Sequence, residues 1–170
     1  MKRSAFWLAY FLLLIAQLLI SNYFVFTPYV TLSILPVMVL CIPIRIPRVW
    51  VLLVAFVSGL LVDLLSEGLL GLNALALVPV AYVRDGLLRL VFGGELFSRK
   101  ENFTVSSNGF LPIAMVILLA QALFLLIYVW VDSAGARPFL FNLWRFLASL
   151  GAGVVVSLLP LNVLATEARR

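Results

Sequence analysis

Residues Phe56 to Ala74 read FVSGLLVDLLSEGLLGLNA, and they place one carboxylate, Asp63, inside an apolar run long enough to enter a lipid bilayer. A charged side chain at the centre of a membrane helix costs about 2.5–3.5 kcal/mol on insertion scales. A partner group, a water-filled cavity or a bound ligand must therefore offset that cost. Glycines let other backbones come close, and three of them flank the carboxylate: Gly59, Gly68 and Gly71. The segment predicts that this part of the chain packs against something inside a membrane.

The composition extends this prediction to the whole chain. Of its 170 residues, 65% are hydrophobic and 11% are charged, and the mean hydropathy is +1.19. Soluble domains are only about 45–50% apolar. We therefore expect an all-α integral membrane protein, with residues 1–170 forming a single polytopic domain in the bilayer. The net charge of +5 is spread singly or in pairs between apolar runs. That arrangement is typical of topology signals and unlike a nucleic-acid-binding face.

Six apolar runs approach the roughly 20 residues that a membrane-spanning helix needs. They are Ser4 to Ser21, Tyr29 to Ile44, Val49 to Leu65, Leu70 to Phe92, Phe110 to Val131 and Phe139 to Leu164. The second run is short and carries Pro36 and Pro43. A re-entrant or kinked element therefore fits it as well as a full span does.

The basic residues favour about six spans in one compact bundle, with both termini cytoplasmic. If all six runs cross, ten of the twelve basic residues share one side, as the positive-inside rule requires: Lys2, Arg3, Arg45, Arg48, Arg84, Arg89, Arg99, Lys100, Arg169 and Arg170. Arg137 alone then falls in an opposite loop. The polar loop Gly93 to Gly109 becomes cytoplasmic, either as a partner contact or as a solvated connector.

Asp63 lies about 20 Å along the third span, at about 1.5 Å per residue, and Gly59 precedes it by one helical turn. Two interpretations of the carboxylate are open. It either faces a partner, a cavity or a ligand, or it is a structural group that caps or hydrogen-bonds a neighbouring helix. Arg145 lies six residues into the sixth run, at a depth similar to that of Asp63. We expect it to approach Asp63 or Asp132, unless its side chain extends to the outer headgroups.

Gly151 and Gly153 form a second patch of small residues in the sixth run, where Ala148, Gly151 and Ala152 share one helical face. Such a face suits close packing, either within the chain or against another subunit, which leaves a homo-oligomer open. The adjacent pair Arg84 and Asp85, near the end of the fourth run, is predicted to be an anchor at the membrane interface.

Residues suited to catalysis or to metal binding are scarce. The chain has no histidine and one cysteine, Cys41, which we interpret as a small buried hydrophobe. The usual ligands of zinc and haem and the usual acid–base catalyst are therefore missing. The acids are few and far apart in sequence. No catalytic residue, cofactor or metal is predicted.

The chain resembles the rod shape-determining protein MreD family over nearly its whole length, in the order in which certain residues and motifs follow one another along the sequence. The resemblance rests on Gln17, Pro28, the turn Ile42 to Arg48, the motif Gly59-Leu-Leu-Val-Asp63 with Gly71, and Pro160. It implies a non-enzymatic scaffold of the bacterial cell-elongation machinery, located in the inner membrane. Such a scaffold binds an MreC-like membrane protein and, through it, is coupled to MreB filaments and peptidoglycan synthases.

Two other classes of protein compete with this interpretation. Substrate-binding subunits of energy-coupling-factor vitamin transporters also have about six spans in one compact domain. Such a subunit should enclose a pocket with convergent polar groups, whereas a scaffold should present a groove or a flat apolar face. A lipid-modifying enzyme would need a second acid or base beside Asp63, and the sequence offers only Glu67, which we expect at the interface.

Overall fold

The computed structural model describes residues 3–23, 30–66, 69–93, 109–134 and 137–169, and in these ranges the regular secondary structure is helix, with no strand. Six helices follow one another in them: α1 (Arg3–Tyr23), α2 (Leu35–Leu40), α3 (Arg48–Leu65), α4 (Leu72–Phe92), α5 (Phe110–Ser133) and α6 (Phe139–Arg169). The all-α prediction is confirmed for this part of the chain.

Four of these helices are long and apolar enough to cross a membrane: α1 from Phe6, α3, α5, and α6 as far as Leu158. Large hydrophobic side chains cover their outer faces, including Leu8, Trp50 and Leu126. Helix α4 is also 21 residues long. Because it carries two arginines and an aspartate, it is less apolar than the other four. A chain built in this way is a membrane protein, since lipid is the solvent that such surfaces require.

Contacts between the helices fix their directions. Asn22, near the end of α1, donates a hydrogen bond to the carbonyl oxygen of Leu65, the last residue of α3. We call the end of the bundle that holds this contact the hairpin end, because α3 turns back there into α4. Gln17 of α1 and Arg145 of α6 both contact residues 31–34, which places the start of α6 at the hairpin end too. Helix α1 therefore begins, and α6 ends, at the opposite end.

The second apolar run differs from a full helical span. Residues 30–34 are not helical, and α2, which follows them, has only six residues. At about 1.5 Å per residue, α2 is about 9 Å long. Pro36 lies in its first turn, where the missing N–H needs no partner. The run is therefore the kinked element that its length and its prolines made one of the two expectations.

Helix α2 lies at the centre of the bundle. All six of its residues are buried, and it contacts each of the other five helices. Leu35, Val37, Met38 and Leu40 belong to the main hydrophobic cluster, which the long helices complete from outside. The shortest helix is thus the one around which the others pack.

Candidate functional site

Asp63 is buried, with 2% of its surface exposed, and it contacts the first turn of α4. Its Oδ1 atom accepts hydrogen bonds from the backbone N–H and the Nδ2 of Asn73, at 3.0 and 2.8 Å. Its Oδ2 atom accepts the backbone N–H of Ala74 at 3.2 Å. Helix α4 begins at Leu72, and the residue in its N-cap position, Gly71, has no side chain to accept these bonds. Asp63 therefore caps α4 from the neighbouring helix.

This contact decides between the two interpretations of the carboxylate. The first N–H groups of a helix lack partners within the helix, and that end of a helix attracts negative charge. Three donors on one carboxylate compensate for removing it from water. In this structure Asp63 is a structural group that holds α4 against α3.

Gly59 allows α4 to come within reach of Asp63. A methyl group on Gly59 would lie 2.5 Å from the Cα atom of Ala74 and 2.6 Å from its backbone nitrogen, closer than atoms can pack. Gly71 has a φ of +87°, a left-handed conformation that favours glycine, and it directs the chain into α4. We call Gly59, Asp63 and Gly71 the α3–α4 clasp. Gly68, predicted with them, lies outside the described residues.

The non-helical residues before α2 take their hydrogen bonds from side chains of the long helices. Gln17 of α1, which is buried, supplies two of them. Its Oε1 atom accepts the backbone N–H of Ile34 at 2.7 Å, and its Nε2 atom donates to the carbonyl oxygen of Leu32 at 3.4 Å. One glutamine side chain thus replaces two backbone partners that a continuous helix would have provided.

Helices α5 and α6 supply two more. The Nε2 atom of Gln121, on α5, donates to the carbonyl oxygen of Ser33 at 3.1 Å. The hydroxyl oxygen of Ser149, on α6, accepts the backbone N–H of Thr31 at 2.8 Å. Residues 31–34 are therefore bonded to three different long helices. In a membrane, non-helical backbone is tolerated where protein surrounds it in this way.

Arg145 pairs with Asp132, one of its two predicted carboxylate partners. Its guanidinium donates to the Asp132 carboxylate and, at 3.0 Å, to the hydroxyl oxygen of Thr31. Only 8% of Arg145 is exposed, so the side chain does not extend to the headgroups. It joins α5, α6 and the non-helical segment near the hairpin end.

The prediction that Arg84 is an interfacial anchor is wrong. Arg84 is buried, with 2% of its surface exposed, and its guanidinium donates to the carbonyl oxygens of Leu40, at 3.4 Å, and of Ile42. Asp85 lies 3.3 Å from it as an ion-pair partner. The last carbonyl groups of α2 lack partners within that helix, and the C-terminal end of a helix favours a cation. Arg84 therefore caps the end of α2.

Two glycines of α6 have different surroundings. Gly151 is exposed, and an added methyl group would meet no atom within 4 Å. At Gly153, which is buried, the same methyl group would lie 2.4 Å from the Nε2 atom of Gln121. Packing inside the chain therefore depends on Gly153. Gly151, the glycine of this patch predicted as a packing site, lies on the outer surface of the bundle.

Comparison with known proteins adds no assignment to these observations. No protein-family model, curated protein or solved structure matches the chain. The buried contacts described above are therefore the basis on which a function is proposed.

The clasp predicts opposite effects for two glycine substitutions. Gly59→Ala should lower the free energy of unfolding by about 1–3 kcal/mol, because the added methyl group forces α3 and α4 apart. The matched control is Gly151→Ala, which should leave stability unchanged or raise it by up to about 1 kcal/mol, since alanine favours a helix over glycine. Thermal unfolding in detergent measures both. Equal losses from the two substitutions would contradict the clasp.

The cap predicts a local effect for Asp63. Asp63→Ala should leave the N–H groups of Asn73 and Ala74 without an acceptor, at a cost of about 1–3 kcal/mol. Asp63→Asn keeps one carbonyl oxygen and should cost less. Amide hydrogen exchange should accelerate at the start of α4 more than at the start of α5. Unchanged protection at Asn73 and Ala74 in the alanine variant would rule out the cap.

The hydrogen bond from Gln121 to the carbonyl oxygen of Ser33 predicts that Gln121→Leu destabilises the fold, although leucine suits a membrane helix better. The carbonyl group of Ser33 would lose its partner inside the bundle, at a cost of about 1–3 kcal/mol. Met115→Leu, on the exposed face of the same helix, is the control and should change stability by less than about 0.5 kcal/mol. Melting temperatures in detergent provide the comparison, and a more stable Gln121→Leu variant would refute the assignment.

Proposed function

We propose that this chain is an MreD-like, non-enzymatic scaffold of the bacterial cell-elongation machinery. It lies in the inner membrane with both termini in the cytoplasm and binds an MreC-like membrane protein. Through that partner it helps to couple MreB filaments to peptidoglycan synthesis.

The observation that carries the proposal is where the intramembrane polar side chains make their bonds. Asp63, Gln17, Gln121 and Arg84 each bond to main-chain groups of this same chain. These side chains would otherwise be the candidates for reading a ligand or performing chemistry. A bundle in which these four side chains stabilise its own backbone is suited to acting through its outer surface, as a scaffold does.

The residues that carry the resemblance to the MreD family support the same proposal. Gln17 bonds to the non-helical segment, Gly59 and Asp63 hold the start of α4, and Gly71 turns the chain into that helix. The turn Ile42 to Arg48 connects the central helix α2 to α3. These residues of the resemblance make contacts that determine the fold, as a shared architecture requires, whereas Pro28 lies outside the described residues.

The direction of the helices agrees with the proposed orientation. Arg45 lies in the connection from α2 to α3, Arg48 is the first residue of α3, and Arg89 lies near the end of α4, all toward the end opposite the hairpin end. The positive-inside rule assigns such an end to the cytoplasm. The start of α1 and the end of α6 are at that same end, which is the arrangement that two cytoplasmic termini need.

The hydrogen bonds of the broken second run favour the scaffold over the transporter alternative. In many transporters an unwound segment and the start of a half-helix form the substrate site. Here the N–H of Ile34 and the carbonyl groups of Leu32 and Ser33 are bonded to Gln17 and Gln121. The chain's own side chains occupy the positions that a substrate would need.

The proposal predicts a stable complex with an MreC-like protein that uses one outer face. The chain should co-purify from detergent with a co-expressed MreC-like protein. A photo-crosslinking residue placed singly at Trp50, Leu61, Met115 or Val155 samples exposed faces of α3, α5 and α6. Crosslinks should form at neighbouring positions and not at all four, because the partner is expected to cover one face of the bundle.

Two results would contradict the proposal. In the first, no partner is recovered and a vitamin-like molecule is found bound stoichiometrically to the purified chain. This result would establish the transporter class. The second is equal crosslinking at all four positions, which is expected of non-specific contact in the membrane.

A further inference from the structure

Arg137 is the exception to the charge asymmetry of the chain. It lies at the hairpin end, which the positive-inside rule leaves poor in basic residues. The other arginine near that end, Arg145, is buried against Asp132, whereas Arg137 is exposed. A cation that neither fits the topology rule nor stabilises the interior calls for a different explanation.

An apolar groove begins beside Arg137. It has a volume of about 410 Å³, and the described residues that line it belong to the first turns of α6: Leu140, Phe141, Leu143, Trp144 and Leu147. Leu140 and Trp144 are 75% and 65% exposed, so the groove opens to the surroundings of the bundle. The central carbon of the Arg137 guanidinium lies 5.2 Å from the centre of the Phe141 ring. The positive charge is therefore held over a residue that lines the groove.

We propose that this groove binds an anionic phospholipid, with the phosphate group at Arg137 and an acyl chain along Leu140, Trp144 and Leu147. The Phe141 ring covers a face of the guanidinium. Because the N–H donors lie in the guanidinium plane, they stay available for the two-pronged bonding to phosphate that arginine favours.

The dimensions of the groove fit this occupant. Arg137 precedes the first residue of α6 by two positions, so it lies at the level of the headgroups when α6 enters the hydrocarbon. From Leu140 to Leu147 the groove follows α6 for about 10 Å, at about 1.5 Å per residue. Trp144 is an amphipathic ring of the kind enriched at the membrane interface. A lipid with a choline headgroup fits less well, because its own cation competes with Arg137 for the phosphate.

Tryptophan fluorescence can test this site directly. In a variant with Trp7, Trp50 and Trp130 changed to Phe, only Trp144 reports, and it lines the groove. This variant is placed in vesicles that contain brominated phosphatidylglycerol or brominated phosphatidylcholine, and the quenching gives the relative affinity. The anionic lipid should bind about fivefold more tightly. Arg137→Gln should reduce that ratio to about one.

A second reporter provides the matched control. Trp50 lines another groove, between α1 and α3, together with Trp7 and Leu53. A variant that keeps only Trp50 should show the same lipid preference with and without Arg137→Gln. Circular dichroism should show equal helix content for all variants, since Arg137 is exposed.

Three results would overturn the lipid site. The first is an equal affinity of the Trp144 variant for the two lipids. The second is a preference that survives Arg137→Gln. The third is a lack of quenching by either lipid while Trp50 is quenched normally, which would mean that protein covers the groove.

Discussion

Main-chain hydrogen bonding in the absence of water is the constraint on which this structure depends. Wherever the backbone leaves a helix inside a membrane, its N–H and carbonyl groups must bond to protein. The chain meets this demand at the start of α4, along residues 31–34 and at the end of α2. Asp63 satisfies the first, Gln17 and Gln121 the second, and Arg84 the third. These four polar residues are thus explained by the backbone groups with which they bond.

The same constraint explains why small residues accompany the polar ones. A carboxylate is short, so Asp63 reaches the N–H groups of α4 only if the two helices nearly touch, and Gly59 permits that approach. In α6, Gly153 leaves the space in which the Gln121 amide lies while it bonds to Ser33. In each case the glycine and the hydrogen-bonding side chain act as one unit, and substitutions at the two positions are therefore not additive.

The long helices are predictable from the sequence because their apolar runs are continuous: the third run, expected from Val49, is a helix from Arg48, and both end at Leu65. The cost of burying Asp63 also made a partner predictable. The identity of that partner, the start of α4, was not predictable, because capping by a neighbouring helix leaves no local sequence pattern. Arg84 was misassigned because its partner at Ile42 is 42 residues away in the sequence. The hydrogen bond of Gln121 to Ser33 was not predicted. A lone amide in an apolar run, together with a broken span elsewhere, is a signal that the amide bonds to main-chain groups of that span.

The non-helical residues 31–34 also determine how the outer faces of the long helices are arranged. Residues 31–34 are bonded to α1, α5 and α6 at once, so these three helices are fixed relative to one another through a segment between them. A protein that binds across two of the three helices depends on this arrangement. Substitutions at Gln17 or Gln121 would then weaken such binding without altering any surface residue. The buried polar residues therefore determine how the apolar outer faces of these helices are arranged, and those faces are where the proposed partner would bind.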